Sequence, residues 1–233
     1  MYSEIFSRIY NEFGWNYYPE AFAEQLTAWI RKNMPHAKRV LDLGCGTGVL
    51  CRILRAQGFE ADGADLSENM IAIARAADPE GHYETADMTE YSPRKKYDLV
   101  TCTGDAMNHL TDLRDVDKTF GRVLGYLEKG GYFIFDLLNE TEITEPEPIE
   151  FSYDEQTDAA FLMTKDDEGL VTLRVTVREG GRTVLEELIH ERIYDAEVIC
   201  GLLKRTGFRE VSCSHRLLED GADVQTWYVI AKA

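Results

Sequence analysis

Residues 40–50 read VLDLGCGTGVL, an apolar segment that runs directly into Gly44, Gly46 and Gly48 at alternate positions. The pattern predicts a buried β-strand, a tight turn and then a helix. Glycine has no Cβ and tolerates positive φ, so a ligand can approach the backbone of such a turn closely. One acid, Asp42, lies inside the strand. The stretch therefore predicts the ligand-binding edge of an α/β sheet.

Strands and helices alternate along the first part of the chain. Strands are predicted over residues 40–43, 59–64, 82–85, 97–102 and 132–137, and helices over residues 49–57, 69–77 and 113–128, the last ended by residues 129–131. Such alternation is typical of right-handed βαβ units in a parallel sheet with helices on both faces. Open sheets of this kind bind ligands at the carboxyl ends of their strands. Gly44, Asp65, Asp87 and Thr103 are expected there.

Two segments depart from this alternation. Residues 1–34 carry aromatic side chains at helical spacing, which predicts a helical lid (residues 1–34); the alternative is that these rings only pack onto the core. Residues 141–194 change to a period of two and predict an antiparallel insertion of about four strands. The core is then assigned to residues 35–140 and 195–233, with a last antiparallel strand pair over residues 208–214 and 225–231.

Composition limits the function classes. The 233 residues carry a net charge of -17, which disfavours nucleic-acid binding. Neither the five cysteines nor the five histidines show metal-ligand spacing, so we expect no metal and a reduced, cytoplasmic protein. No apolar run could span a bilayer, and no signal peptide is recognised. The expected partner is a small-molecule acceptor, and the expected state is a monomer or homodimer.

The acidic residues at the strand ends suggest the ligand. The glycine spacing differs from Gly-x-Gly-x-x-Gly, and Asp42 would repel a pyrophosphate but suits an ammonium or sulfonium group. Asp65 can accept hydrogen bonds from the two hydroxyls of a ribose. Asp87 can accept one from an adenine amine, and Met88 can cover the ring. Together they favour an adenosine with a cationic tail.

This set of segments resembles the motif series of class I S-adenosylmethionine-dependent methyltransferases. The matching positions are residues 40–50, 65, 86–88, 97–100 and 130–133. The lid, the β insertion and residues 190–194 are similar to small bacterial methyltransferases of the glycine and aminosugar N-methyltransferase-like group. The resemblance implies a Rossmann-like fold with a seven-stranded, mainly parallel sheet and the insertion after the fifth strand.

The resemblance also implies S-adenosylmethionine as cofactor, with S-adenosylhomocysteine as product. The implied cofactor-binding residues are Tyr10, Tyr18, Asp42, Gly44, Cys45, Gly46, Asp65, Leu66, Met70, Asp87, Met88, Cys102 and Thr103. Cys45 and Cys102 are equally well explained as small buried side chains.

The acceptor side is predicted from residues that follow the fourth strand. His109 is a candidate general base, and Asp105 could hold an amine or a hydroxyl group. Asn108, Asp136 and His190 are further candidates for the acceptor site. Structural alternatives are that His109 packs the short helix, that Asp105 caps it, and that His190 pairs with a carboxylate.

The predicted function is that of an enzyme transferring a methyl group to nitrogen or oxygen of a small molecule. Proximity and orientation supply much of the rate enhancement in such a reaction, so a dedicated base is optional. Two alternatives stay open: an NAD-dependent oxidoreductase, and a non-catalytic module that binds S-adenosylmethionine.

Overall fold

A computed structural model describes residues 2–11, 17–138, 148–152, 154, 156–215, 217 and 227–233. Six α-helices are present in this part of the chain: α1 (Glu4–Ile9), α2 (Tyr17–Asn33), α3 (Val49–Ala56), α4 (Glu68–Ala77), α5 (Leu113–Tyr126) and α6 (Ala196–Thr206). A short 3-10 helix covers Ala106–His109. Residues 141–147 of the expected insertion and residues 225 and 226 of the last expected strand lie outside the described residues.

The described residues form eleven strands in two sheets. They are β1 (Arg39–Leu43), β2 (Glu60–Asp65), β3 (His82–Thr85), β4 (Tyr97–Cys102), β5 (Leu127–Leu137), β6 (Ile149–Ser152), β7 (Thr157–Lys165), β8 (Leu170–Glu179), β9 (Arg182–Arg192), β10 (Glu210–Ser214) and β11 (Trp227–Lys232). The larger sheet has the order β10-β11-β5-β4-β1-β2-β3. Strands β1 to β5 pair in parallel, and β11 is antiparallel to both of its neighbours. The predicted seven-stranded, mainly parallel sheet is confirmed.

Two apolar clusters cover the faces of this sheet. On one face α2, α3 and α4 contribute side chains such as Phe22, Leu50 and Ile71. On the other face α5 and α6 contribute side chains such as Phe120 and Leu203. Burial of both faces explains why β1 reads as an almost continuous apolar run rather than an alternating one.

The start of β5 differs from the sequence expectation. Residues 129–131 were expected to end the preceding helix, and this is wrong, because α5 ends at Tyr126 and these residues lie inside β5. The backbone of Ala233 exchanges hydrogen bonds with Gly130 and Gly131, which extends the strand. A Cβ at Gly131 would lie 2.8 Å from the carbonyl oxygen of Asp98, so only glycine allows this close approach.

The insertion is a separate antiparallel sheet with the order β6-β7-β8-β9, as the period of two predicts. The hairpin between β8 and β9 turns at Gly180 and Gly181, with φ of 56° and 76°. Two positive φ values in succession are typical of the turn that matches strand twist, and glycine adopts them without strain. Strand β9 lies at the edge of this sheet and beside the 3-10 helix.

Helix α1 connects the insertion with the core. Phe6 and Ile9 are buried in a cluster with Met70 of α4 and with Val175 and Ile189 of the insertion. Its N-terminal end is held by polar contacts as well: the Ser3 N–H donates to both carboxylate oxygens of Glu187, at 3.2 Å each. The insertion and α1 therefore stand together over the carboxyl ends of the parallel strands.

Candidate active site

A cavity of about 340 Å³ lies at the carboxyl ends of β1 to β4, beneath α1 and β9. This volume is at the lower end of the range for small-molecule and cofactor sites. The structure brings eleven of the sequence-predicted site residues onto its wall: Tyr10, Gly44, Gly46, Asp65, Leu66, Met70, Asp87, Met88, Thr103, His109 and His190.

Seven other predicted residues do not line the cavity: Tyr18, Asp42, Cys45, Cys102, Asp105, Asn108 and Asp136. Cys45 and Cys102 are buried free thiols, and burial raises the pKa of each well above its usual value. A thiol with a raised pKa stays protonated, so both cysteines fit the structural alternative of small buried side chains.

The glycine turn after β1 leaves bare backbone facing the cavity. Gly44 has a φ of 68°, and a Cβ at this position would lie 2.6 Å from the Cβ of Ala106. Gly46 has a φ of 51°, and a Cβ there would meet no atom within 4 Å. Gly44 therefore has to be glycine for packing, whereas Gly46 leaves free space beside the backbone, as a closely bound ligand requires.

Asp65 is fixed by the backbone on both sides. One carboxylate oxygen accepts a hydrogen bond from the Gly46 N–H, and the other accepts one from the Ser67 N–H, both at 2.8 Å. A carboxylate has about four lone-pair sites, so two remain for a ligand. Burial raises the pKa of Asp65, and the two backbone hydrogen bonds oppose that shift. The residue can receive two hydroxyl groups of a ribose.

Asp87 and Met88 follow strand β3 at the same edge of the sheet. Asp87 accepts a hydrogen bond from the Thr89 N–H at 2.8 Å, which orients its carboxylate. Met70 and Met88 line the adjoining wall. Leu66 also lines the cavity and is 50% exposed. An acid beside flexible apolar side chains can hold a flat base with an exocyclic amine.

Asp42 is a deeply buried acid near the cavity. It is 4% exposed, and the Thr101 hydroxyl donates a hydrogen bond to it at 2.7 Å. Burial raises the pKa of Asp42 to about 7, the Thr101 hydrogen bond lowers it, and the charges of Asp65 and Asp136 raise it further. A buried carboxylate of this kind is stabilised by a nearby cation.

Asp136 has a different location from the one expected for an acceptor-binding residue. Its carboxylate accepts hydrogen bonds from the backbone N–H groups of Gly104 and Asp105, at 2.9 and 3.0 Å, and a very short one from the Tyr18 hydroxyl. Burial, followed by the charge of Asp136, raises the pKa of Tyr18. Asp136 thus fixes the loop after β4, in which Asp105 has a left-handed φ of 60°.

Asn108 fixes the next part of this loop. Its amide donates to the carbonyl oxygen of Arg192 at 2.7 Å and accepts from the Leu138 N–H at 3.0 Å. Both contacts are to backbone groups, one in β9 and one after β5. Asn108 therefore positions the 3-10 helix that carries His109.

His109 faces the cavity beside β9. Its Nε2 atom lies 3.0 Å from the hydroxyl of Tyr2 and 3.5 Å from a carboxylate oxygen of Glu191. Burial lowers the pKa of His109 to about 4, while a hydrogen bond to the backbone of His190 opposes the shift. His109 is thus neutral near pH 7. The His190 ring pairs with the Thr172 hydroxyl at 3.1 Å rather than with the carboxylate expected as an alternative.

The cavity wall also includes residues that were not predicted as site residues, notably Tyr2, Ser67, Glu187 and Leu188. Tyr2 shares its helical spacing with Tyr10, so the aromatic pattern contains a signal for it. Glu187 and Leu188 carry no local motif, because their position depends on how the insertion sheet stands over the core.

Two classes of feature are missing from the residues that the structure describes. They contain no group of three or more His, Cys, Asp or Glu side chains that could hold a metal ion. In the same part of the chain, no helix is long and apolar enough to cross a membrane.

The pKa of Asp42 makes stability depend on pH. Since the folded-state pKa of about 7 exceeds the ordinary value near 4, the carboxylate costs stability increasingly as pH rises from about 4 to 7. We expect Asp42→Asn to raise the free energy of unfolding by about 2–4 kcal/mol at about pH 8 and to change it little at about pH 4. Urea denaturation at both pH values measures this.

Asp62→Asn is the matched control for that variant. Asp62 is equally buried in the neighbouring strand, but it accepts from the Tyr97 hydroxyl and contacts the Lys95 ammonium, each at 2.7 Å. Its replacement removes an ion pair and is expected to destabilise the protein. Equal destabilisation by both variants at about pH 8 would contradict the account of Asp42.

Comparison with known proteins agrees with this architecture. A family model described as a methyltransferase domain matches residues 15–212. A solved S-adenosylmethionine-dependent methyltransferase of Clostridium acetobutylicum superimposes with a TM-score of 0.79 at 22% identity, covering 90% of this chain and 89% of that one. The predicted class I fold is therefore confirmed.

Three curated relatives show where the sequence similarity lies. A candidate methyltransferase of Geobacillus is 42% identical over 106 residues, which is 43% of this chain but only 42% of that protein. YqeM of Bacillus subtilis, also named as a candidate methyltransferase, is 28% identical over 87% of this chain and 84% of its own length. An enzyme of Streptomyces fradiae, dTDP-3-amino-3,6-dideoxy-alpha-D-glucopyranose N,N-dimethyltransferase, is 28% identical over 58% of this chain and 52% of its own.

These matches favour a methyltransferase over the alternative of an NAD-dependent oxidoreductase. The family model alone spans most of the chain, including the glycine turn and every strand of the parallel set. The chain belongs to the family of class I S-adenosylmethionine-dependent methyltransferases.

Proposed function

We propose that this protein binds S-adenosylmethionine in the cavity beneath α1 and transfers its methyl group to a nitrogen atom of a small-molecule amine. The observation that carries the proposal is the row of oriented carboxylates at adjacent strand ends, Asp42, Asp65 and Asp87, beside a turn of bare backbone. When bound, the cofactor supplies a methyl group on a positively charged sulfur atom.

The donor set fits this cofactor. Asp65 has two lone-pair sites left for the ribose hydroxyls, and Asp87 has one oxygen left for the adenine amine beside Met88. Asp42 lies two residues before Gly44 and would balance the ammonium group of the amino acid part, directly or through water. The backbone of Gly44 and Gly46 then lies along that part of the cofactor.

The acceptor is proposed to lie between His109, Tyr2 and strand β9. His109 accepts a hydrogen bond from the Tyr2 hydroxyl, and its other ring nitrogen bonds to the backbone of His190, so the Tyr2 oxygen is the atom that can accept a hydrogen bond from the acceptor amine. Asn108 of the same 3-10 helix fixes this arrangement. A histidine with a pKa of about 4 is a weak base, so it orients the acceptor rather than removing a strongly held proton. An uncharged amine attacks without a base, and the surplus proton is lost to water afterwards.

Relatives named as aminosugar N,N-dimethyltransferases favour nitrogen as the methylated atom, whereas others are named as ubiquinone biosynthesis O-methyltransferases. The Streptomyces fradiae enzyme is named as an N,N-dimethyltransferase of an aminosugar, and a second relative from Saccharopolyspora spinosa carries a similar name. Cytoplasmic location, the absence of a nucleic-acid partner and a monomeric or homodimeric state stay predictions.

Asp65→Ala tests the cofactor site. Loss of a carboxylate that binds two hydroxyls is expected to weaken S-adenosylhomocysteine binding about 10- to 100-fold, measured by calorimetry. Asp195→Ala is the matched control, because Asp195 also accepts from two backbone N–H groups but caps α6, away from the cavity. Unchanged affinity in Asp65→Ala, or equal losses in both variants, would contradict the proposal.

His109→Gln tests the acceptor site. We expect the rate of S-adenosylhomocysteine formation with an amine acceptor to fall about 10-fold or more, while cofactor affinity changes little. His109 is already neutral above about pH 5. The wild-type rate should therefore rise with pH as the acceptor amine loses its proton, and it should show no separate step near pH 6.5. A step at that pH that disappears in the variant would contradict an orienting role.

A further inference from the structure

The charged side chains on the described wall of the cavity are of one sign. Asp65, Asp87 and Glu187 line it, and Glu191 lies 3.5 Å behind His109. Of the lysines and arginines in the described part of the chain, none is on the cavity wall. In the rest of the sequence, Arg216 is the one further lysine or arginine.

Three arginine side chains of α1 and the insertion are engaged with other groups. Arg8 of α1 pairs with Glu179, and Arg174 of the insertion pairs with Glu186. Arg192 donates to two backbone carbonyl oxygens, those of Thr111 and Glu168, at 2.8 and 2.7 Å. They hold the insertion sheet in place and leave the cavity walls acidic.

Such a wall opposes an anionic acceptor. A phosphate or carboxylate placed here would lose its hydration, find no lysine or arginine side chain on the described wall and approach carboxylates of like charge. Two of the relatives are named for dTDP-linked aminosugars, whose diphosphate is doubly charged. The acidic wall of this chain thus favours an acceptor that is not anionic.

Resting on the methyl transfer proposed above, we propose that the acceptor is an amine that is neutral or cationic overall and carries no phosphate or carboxylate group. Nitrogen gains positive charge as its lone pair forms the bond to the methyl carbon, while the electrons of the broken bond remain on sulfur. The carboxylates of Glu187 and Glu191 stabilise that positive charge. They would destabilise the oxyanion of a phenol or alcohol acceptor.

Aromatic side chains add to this preference. The rings of Tyr2 and Tyr10 both line the cavity, with centroids 6.3 Å apart. The faces of such rings attract cations, so an ammonium product is favoured over a neutral one.

Strand β9 offers a matched pair of positions for a test. Leu188 lines the cavity and is 48% exposed, so a lysine there places a cation at the wall without filling the core. Val184 lies four residues earlier in the strand, at a register shift against β8, is 38% exposed and is not part of the wall. Leu188→Lys and Val184→Lys therefore add the same charge to the same strand at different distances from the site.

The experiment compares D-glucosamine with D-glucosamine 6-phosphate, which differ only in the phosphate, as ligands of the protein saturated with S-adenosylhomocysteine. Saturation-transfer NMR at low ionic strength measures both affinities. We expect the wild type to bind the amine about tenfold more tightly than its phosphate, Leu188→Lys to lose or reverse this preference, and Val184→Lys to keep it.

Equal or tighter binding of the phosphate by the wild type contradicts the proposal, as does a lack of saturable amine binding. The same change in both lysine variants also contradicts it, because the effect would then be one of net charge. Calorimetry with S-adenosylhomocysteine comes first in each sample. Failure at that step overturns the proposed function, whereas cofactor binding followed by preference for the phosphate overturns only the acceptor class.

Discussion

Burial of carboxylates at one end of the sheet is the constraint on which the site depends. Asp42, Asp65 and Asp136 follow or end neighbouring strands, where little water reaches them, and the charges of Asp65 and Asp136 add to the effect of burial on the pKa of Asp42. Each acid is held by hydrogen bonds, from Thr101, from the glycine turn, or from the loop after β4. Hydrogen bonds orient these charges but do not neutralise them, so a cationic ligand supplies what the fold lacks.

The same constraint explains the covering elements. Coulomb energies grow as the dielectric constant falls, so the acids act strongly on a ligand only if water is excluded. Helix α1 excludes it through Phe6 and Ile9, which bridge the core and the insertion. The polar contacts of Ser3 and Tyr2 then fix this cover to Glu187 and His109. One short helix therefore both closes the cavity and completes the acceptor side.

Much of the fold, and the part of the cavity wall at the strand ends, are predictable from sequence because their signals are local. The glycine turn, the acid at the end of β2 and the alternation of strands and helices each occur within a few residues. The role of Asp136 could not be predicted, because its partners are 31 and 118 residues away and are set by the neighbouring strand and by α2. The position of Glu187 on the cavity wall could not be predicted either. The alternation of side chains in β9 indicates a strand but does not indicate which part of the core the strand covers. The start of β5 was missed because the residues that pair with it, Tyr97 of β4 and Ala233, are distant in the sequence.

The central claim is that the acids at this end of the sheet bind a ligand with a positively charged group. Proton release on cofactor binding tests it. Titration of the protein with S-adenosylhomocysteine near pH 7, in buffers of different ionisation enthalpy, measures it directly. Because an ammonium group lowers the pKa of Asp42 from about 7, binding should release up to about half a proton, and Asp42→Asn should abolish the release. Binding without proton release in the wild type, or an equal release in the variant, would contradict the account.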